Sequence, residues 1–412
     1  MKYGCIGERL GHSFSAEIHA LLGNTDYQLR PLPPEEVDDF LTKRSFSAIN
    51  VTIPYKETVL PYLFYADEAV RKIGAANTVV NRDGKLYGYN TDFFGMIALL
   101  RRLGLALTGK KVVILGTGGT SRTASAVAES LGAACVLRVG RSGKDGSLTY
   151  PELFARHTDA EILLNTTPVG MFPHAEECPV DLSAFPRLTG VADAVYNPLR
   201  TRLVTSALER GIPAGGGLYM LVCQAVRASE IFLDTTYPEG TAERVYRTVL
   251  SQRENIVLTG MPASGKSTVG KLLAKRLGRP FYDADACIEA HGRKISSVFA
   301  EDGEEGFREL ESRVIREELA PLTGAVIATG GGSILRDENL RELRMNGKIF
   351  FLDRPPELLI PTADRPLASD AEAIRRRYRE RIDRYRATAD RQIPAAGRPE
   401  EVADAITEEW NT

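Results

Sequence analysis

Residues 260–268 read Gly260-Met261-Pro262-Ala263-Ser264-Gly265-Lys266-Ser267-Thr268: a glycine, four residues, then Gly-Lys-Ser. That spacing can hold a polyphosphate. Gly260 and Gly265 let backbone N–H groups turn inward, and the helix that follows adds its positive end. Lys266 brings a mobile charge to the outer phosphates, and Ser267 a hydroxyl for magnesium. The motif needs a strand before it and a helix after it. Both are present, in the apolar run Ile256-Val257-Leu258 and the helical pattern of residues 269–277. A nucleoside triphosphate site therefore begins in mid-chain. A loop that opened a helix for turn geometry alone would not need Lys and Ser in register. Farther on, Phe281-Tyr282-Asp283-Ala284-Asp285 reads as a short strand with both carboxylates on one face. Beside a magnesium polyphosphate, Asp283 could face the metal's water shell and Asp285 an acceptor hydroxyl. The alternative is that they cap a helix starting near Ala286. Gly303 to Glu311 opens a helix, and the apolar strand from Val326 runs into Gly330-Gly331-Gly332, bare backbone against which a ligand ring could lie.

The first hundred residues carry a second set of polar groups. Ser13 and Ser15 are two apart, so an extended segment would aim both hydroxyls at one polar ligand. Asn50-Val51-Thr52-Ile53-Pro54-Tyr55-Lys56 ends a strand in a proline with a lysine after the turn. Gly74 to Thr78, which includes Asn77, and Tyr89-Asn90-Thr91-Asp92 follow. Each alone could be a satisfied turn.

The elements that must position these groups alternate in an α/β pattern. Strand-like runs at residues 2–6, 48–53 and 78–81 are separated by helical stretches at 16–22 and 34–42. The apolar strand Lys111 to Leu115 then leads into Gly116-Thr117-Gly118-Gly119-Thr120-Ser121, the opening of a Rossmann-type dinucleotide fold. The next strand ends in Gly140-Arg141-Ser142. An arginine there, where an acid would select NAD, favours the 2′-phosphate of NADP, unless Arg141 is only a solvated charge. Runs at 162–165 and 190–195 are expected as later parallel strands. A helix from Leu218 carries Gln224 on an otherwise apolar segment, and a buried Gln needs a partner.

Length and composition set limits on function. A chain of 412 residues suggests two to three domains. With 52 basic against 54 acidic residues, nothing calls for a nucleic-acid or anionic-membrane surface. Five scattered cysteines without a CxxC suggest reduced thiols in a cytosolic, cytoplasmic protein, and neither a signal peptide nor a membrane span is evident.

Taken together, the motifs of residues 1 to about 240 resemble shikimate dehydrogenase, and those of about 255 to 412 resemble shikimate kinase. The resemblance implies an α/β fold: an N-terminal substrate domain (1–100), a Rossmann-type NADP domain with C-terminal helices returning to it (101–240), a linker (241–254) and a P-loop, nucleoside monophosphate kinase-like domain (255–412). It implies NADPH-dependent reduction of 3-dehydroshikimate, then ATP- and Mg²⁺-dependent phosphorylation of shikimate. Ser13, Ser15, Asn50, Thr52, Asn77 and Gln224 would bind hydroxyls and carboxylate, with Lys56 and Asp92 flanking the reacting oxygen. Gly116, Gly118, Gly119 and Arg141 would hold the dinucleotide. In the second unit Asp285 would grip the acceptor hydroxyls, Arg308 and Arg381 its carboxylate, and Gly330 to Gly332 its ring. Gly260, Ser264, Gly265, Lys266, Ser267 and Thr268 would hold ATP, and Ser267 and Asp283 the metal. Arg365 would reach the transferring phosphoryl group from a lid.

Two departures from the family pattern stand out. Gly140 replaces a common Asn, and Ile360-Pro361-Thr362-Ala363 makes the lid short and leaves it without the arginine expected over adenine. A C-terminal nucleotide-binding regulatory module without kinase turnover, and quinate as the first site's substrate, are the competing readings. The partners expected are small molecules.

Overall fold

Short apolar runs bounded by glycine, proline or polar turns form the strands, and in the middle of the chain these runs are continuous because helices cover both faces of their sheet. Lys111–Leu115 and Ile162–Asn165 are buried almost throughout, as a doubly covered parallel sheet requires. A computed structural model describes residues 1–11, 13–144, 146–359 and 371–411, which divide into two units, Met1–Leu250 and Ser251–Thr412.

Among the described residues the first unit has two six-stranded sheets. One is mixed, in the order Tyr27–Pro31, Tyr3–Gly7, Ala48–Val51, Thr78–Arg82, Lys85–Tyr89, Tyr65–Ala66; its first three strands are mutually parallel and the next two antiparallel. The strand expected to reach Ile53 stops at Val51, before Pro54, which has no N–H for a ladder. The other sheet is parallel, in the order Ala214–Gly215, Gly190–Asp193, Ile162–Asn165, Lys111–Leu115, Cys135–Gly140, Leu148–Thr149. That is a doubly wound arrangement, with the glycine turn at the carboxyl end of a central strand.

Two helices join these layers. Thr91–Arg102 lies against Leu218–Leu233, and Gly95 permits the approach: a Cβ there would stand 2.6 Å from the Met220 carbonyl oxygen and 3.1 Å from Gln224 Cβ. Residues 241–253, expected as a helical stretch of the linker, form a helix whose Val245 and Val249 are buried with Phe14, Ile18 and Val222 in a core of the first unit.

The second unit is a five-stranded parallel sheet among the described residues, in the order Phe281–Asp283, Val326–Ala328, Asn255–Thr259, Gly347–Asp353, Arg391–Pro394. Its cores lie on both faces, one around Ile256, Leu258 and Phe350, the other around Val257, Ile327 and Ile349. Alternate residues of the central strands thus face opposite layers. No helix among the described residues is long and apolar enough to cross a membrane.

Two buried titratable groups in the first unit oppose each other. Asp193 ends its strand fully buried. It accepts from Asn165 Nδ2 and Val195 N, both at 2.9 Å, and from Thr201 Oγ1 at 2.6 Å. Burial outweighs these bonds and pushes its carboxyl from 3.8 up to about 7. His19 is equally buried, stacks on Tyr27 at 3.8 Å and makes no hydrogen bond through either ring nitrogen. Burial pushes it from 6.5 down to about 3.

A raised carboxyl favours the fold at low pH, and its contribution is lost as pH rises from about 4 to about 7. A depressed imidazole contributes above 6.5, and its contribution is lost as pH falls toward 3. The two slopes therefore cancel over most of the acid range. The Asp193→Asn variant is expected to gain stability over the parent with rising pH, by about 1.4 kcal/mol per pH unit between roughly 4 and 7. His19→Phe should gain over the parent as pH falls below the ordinary imidazole value. Urea unfolding of the first unit, read by pulse proteolysis across this range, checks both; a difference that is flat with pH in either variant would contradict the assignment.

Candidate active sites

Lys56 follows the turn after Pro54, and Asp92 lies in the first turn of helix Thr91–Arg102, whose N-cap Asn90 accepts from Phe93 N at 3.1 Å. The turn and the cap bring the two side chains together. Lys56 Nζ donates to Asp92 Oδ2 at 2.6 Å, with side chains only 14% and 9% exposed. Gly119 of the glycine turn lies beside them, since a Cβ built there would be 3.7 Å from the Lys56 side chain. The start of the dinucleotide helix thus packs on the aliphatic stem of Lys56.

Around this pair the polar residues form one connected system. Asn77 Oδ1 accepts from Thr91 N at 2.7 Å, and its Nδ2 donates to Thr91 Oγ1 at 3.0 Å and Gln224 Oε1 at 3.4 Å. Gln224 Nε2 donates to the Leu221 carbonyl at 2.9 Å, so the Gln expected to need a partner has several. Asn50 accepts from Tyr27 Oη at 2.7 Å and donates to Asn77 O and Thr78 Oγ1, both at 3.2 Å.

Ser13 and Ser15 do meet, Oγ to Oγ at 3.1 Å. They meet through a turn and not through strand alternation, because Ser15 starts helix Ser15–Leu21 and its N–H donates to Ser13 Oγ at 3.3 Å. His12, before them, lies outside the described residues. Thr52 is half-buried next to Gly7, where a Cβ would strike its methyl at 2.5 Å. Thr78 and Thr91, quoted in the sequence runs without a role of their own, belong to this system. Tyr27 was missed from sequence and left no signal, being one aromatic at a strand start.

Gly116 has φ 120°, and a Cβ there would lie 2.5 Å from Thr166 Oγ1. Only glycine satisfies both the turn and the approach. Gly118 opens on empty space, and the adjoining cavity of about 470 Å³ is lined by Glu57, Thr117, Arg122 and Arg138. Two arginines therefore line this cavity together with Thr117 of the glycine turn. Sequence reasoning gave neither a role, although Arg122 ends the glycine run and Arg138 sits in the second strand of the dinucleotide fold. Arg122 pairs with Glu57, next in sequence to Lys56, and Arg141 is exposed just past the strand end. The departure at Gly140 has a steric reason, because a Cβ there would lie 2.6 Å from Thr117 Cγ2.

In the second unit a cavity of about 280 Å³ is lined by residues 263–268 together with Asp283, Asp285, Thr329 and Gly331. Gly265, at φ 92°, is the N-cap of helix Lys266–Leu277. Lys266 is buried, and its Nζ donates to the carbonyls of Gly260 at 2.8 Å and Met261 at 2.9 Å. Ser264 Oγ is buried without a hydrogen-bond partner, an orphaned polar atom in the phosphate cradle. Ser267 Oγ donates to Asp283 Oδ2 at 2.5 Å. A hydroxyl and a carboxylate at the mouth of such a cradle suit a hard cation with oxygen ligands.

The strand reading of the two aspartates needs correction. The strand ends at Asp283, whose carboxylate accepts from Asp285 N at 3.1 Å and starts helix Ala284–Ala290; Asp285 is in that helix's first turn. Capping thus supplied what alternation was expected to supply, and both carboxylates still line the cavity.

Beside it, Arg308 is buried and donates to Glu311 Oε2 at 2.8 Å and Glu304 Oε1 at 3.3 Å. Burial opposes its charge, but Glu311 and Glu304 outweigh burial and hold the guanidinium above its ordinary range. Glu311, fully buried, accepts from Ser333 Oγ at 2.6 Å. A carboxylate three residues after Arg308 on a helix was the signal available for it. The triple glycine fits tightly among these groups. A Cβ on Gly330 would meet Glu311 and Asp285, one on Gly331 Pro262, and one on Gly332 the Arg308 guanidinium. Arg381 Nη1 donates to the Gly331 carbonyl at 3.1 Å. Arg365 and the short stretch 360–363 lie outside the described residues.

Comparison with known proteins agrees with this geometry. Residues 5–79 match the family model of the shikimate dehydrogenase substrate binding domain, and residues 262–411 that of shikimate kinase. Shikimate dehydrogenase (NADP(+)) of Clostridium perfringens is 35% identical over 262 residues, covering 59% of this chain and 96% of the relative. Its counterpart from Geobacillus kaustophilus is 35% identical over 250 residues, 55% of this chain and 91% of the relative. Among solved structures, shikimate dehydrogenase 1 of Peptoclostridium difficile has a TM-score of 0.57 at 32% identity, covering 60% of this chain and 98% of that one. A chorismate mutase/shikimate 5-dehydrogenase fusion protein of Clostridium acetobutylicum has a TM-score of 0.56 at 32% identity, covering 60% and 96%. The chain belongs to the shikimate dehydrogenase family, and a shikimate kinase domain follows in the same polypeptide.

Proposed function

We propose that this shikimate-pathway enzyme reduces 3-dehydroshikimate to shikimate with NADPH in its first unit and phosphorylates the 3-hydroxyl of shikimate with ATP in its second. The observation that carries the first half is the enclosed Lys56–Asp92 pair beside the dinucleotide turn. NADPH supplies the hydride. As the carbonyl carbon accepts it, negative charge develops on the oxygen, and an ammonium at that oxygen stabilises the charge and donates the proton. Asp92 holds the Lys56 side chain aimed through their hydrogen bond. Ser13, Ser15, Thr52, Asn77 and Gln224 hold the ring substituents. Asn50 already uses both amide protons, so its part is to accept from a substrate hydroxyl through the free lone pair of Oδ1.

Gly116, Gly118 and Gly119 give the pyrophosphate its close approach, and Arg141 and Arg138 take the 2′-phosphate. In the second unit ATP supplies the phosphoryl group, and Ser267 and Asp283 would hold Mg²⁺, which neutralises phosphate charge. Lys266, on its loop carbonyls, is placed for the outer phosphates, and Ser264, Gly265 and Thr268 line the cradle. Asp285 orients the acceptor hydroxyl and accepts its proton, Arg308 and Arg381 bind the carboxylate, and the bare backbone of Gly330 to Gly332 receives the ring. Arg365 keeps the role its resemblance implies.

The Lys56→Ala variant should lose about 10²–10⁴-fold in NADPH oxidation and still phosphorylate added shikimate. Lys266→Ala should lose about 10²–10³-fold in ADP formation and keep the reduction. Steady-state rates of both reactions on both variants decide this; a folded variant that lost both would overturn the assignment of two separate sites.

Replacing Arg138 or Arg141 with alanine is expected to raise KM for NADPH about tenfold, the worth of one charge-assisted hydrogen bond, and to leave KM for NADH nearly unchanged. Equal effects on the two dinucleotides would remove that arginine from the 2′-phosphate site.

A further inference from the structure

Helix Ala371–Thr388 carries several arginines that find partners inside the second unit. Arg381 Nη1 donates to the Gly331 carbonyl at 3.1 Å, Arg384 Nε to that of Ile334 at 3.1 Å, and Arg386 pairs with Asp353 at 3.4 Å. Arg377 differs. The residue is half-buried, yet its Nη1 is withdrawn from solvent and makes no hydrogen bond among the described residues. A guanidinium N–H left bare in this way costs stability, because it has lost water and gained no acceptor.

Arg377 stands one helical turn before Arg381, hence on the same face of the helix. Burial and then the like charge of Arg381 hold its guanidinium below the ordinary range, and Glu304 opposes them without prevailing. Glu304 is shared, since it also accepts from Arg308 at 3.3 Å, and its side chain is 54% exposed. Water therefore screens what it offers Arg377. The charges next in strength, Arg376 and Glu380, are exposed on the helix itself. Arg377 thus looks on the Arg308 and Arg381 end of the site, where the reading above puts the acceptor's carboxylate, and not on the phosphate cradle. Arg308 is committed to Glu311 and Glu304, and Arg381 to a carbonyl; Arg377 alone of the three has a buried N–H without an acceptor.

We propose that Arg377 is a further binding residue for the acceptor's carboxylate, its buried N–H kept for a carboxylate oxygen of the ligand. The inference rests on the kinase reading of this unit and adds a residue to it. Such a group destabilises the empty protein, and the ligand's oxygen removes that cost. A residue that only braced the helix would act in the opposite sense, and its removal would lower the stability of the empty protein.

Arg377→Met keeps the aliphatic stem and removes the guanidinium. Initial-rate ADP formation by the intact chain, with ATP–Mg²⁺ and shikimate both varied and no dinucleotide present, should show KM for shikimate raised at least about tenfold. KM for ATP and kcat should stay within about twofold of the parent. Urea unfolding of the second unit without ligand, read by pulse proteolysis, should place the variant's midpoint at or above the parent's. An unchanged KM for shikimate, a KM for ATP raised as much as that for shikimate, or a lowered midpoint overturns the inference and leaves the kinase reading standing. A parent that forms no ADP overturns the kinase reading and this inference with it.

Discussion

A charge withdrawn from water must be met by a fixed partner, and both candidate sites are built on that constraint. Lys56, mostly enclosed, is met by Asp92; Lys266 by two carbonyls of its own loop; Arg308 by Glu311, which is itself fully buried and held by Ser333. The surrounding architecture fixes where those partners stand. A helix N-cap at Asn90 places Asp92, a glycine-permitted helix crossing places Gln224, and a triple glycine leaves space for the Arg308 guanidinium. Removing one member of such a pair leaves the other uncompensated, so each is both a structural and a chemical unit.

Legibility in the sequence followed the range of the interaction. The phosphate loop, the dinucleotide turn and the parallel strands are local patterns, and they fold where spacing and apolar runs put them: Lys111–Leu115 and Ile162–Asn165 form as read. The residues around Lys56 come from separated segments, and no spacing rule links Lys56 to Asp92 or Asn77 to Gln224; the likeness of the whole ordered set to a family connected them. Where local reasoning failed, a competing local force had won. The Asp283 carboxylate capped a helix and moved Asp285 off the strand, and the Ser15 N–H found Ser13 Oγ and turned an extended segment into a helix start. Arg138, Arg122 and Tyr27 were out of reach, because their significance lies in what faces them across the fold. The same holds for Gly140, whose missing side chain is explained by Thr117 from another strand-end loop.

The chain carries two sites that, in the proposed reading, bind the same compound, as product in the first unit and as acceptor in the second. The recognition chemistry differs accordingly. Neutral hydroxyl and amide groups dominate the first site, where hydrogen bonds must survive a change from carbonyl to alcohol. Arginines dominate the second, where a polyanion and a carboxylate meet. Nothing in this arrangement needs the intermediate to be passed directly between units, since each site has the groups to bind it from solution.

The most direct test is a coupled assay on the intact chain, supplied with 3-dehydroshikimate, NADPH and ATP–Mg²⁺, in which dinucleotide oxidation and ADP formation are followed together. The account requires ADP to appear only when NADPH is present, after a lag in which shikimate accumulates. NADPH oxidation without ADP, even when shikimate itself is added, would contradict it and leave the second unit as a nucleotide-binding module.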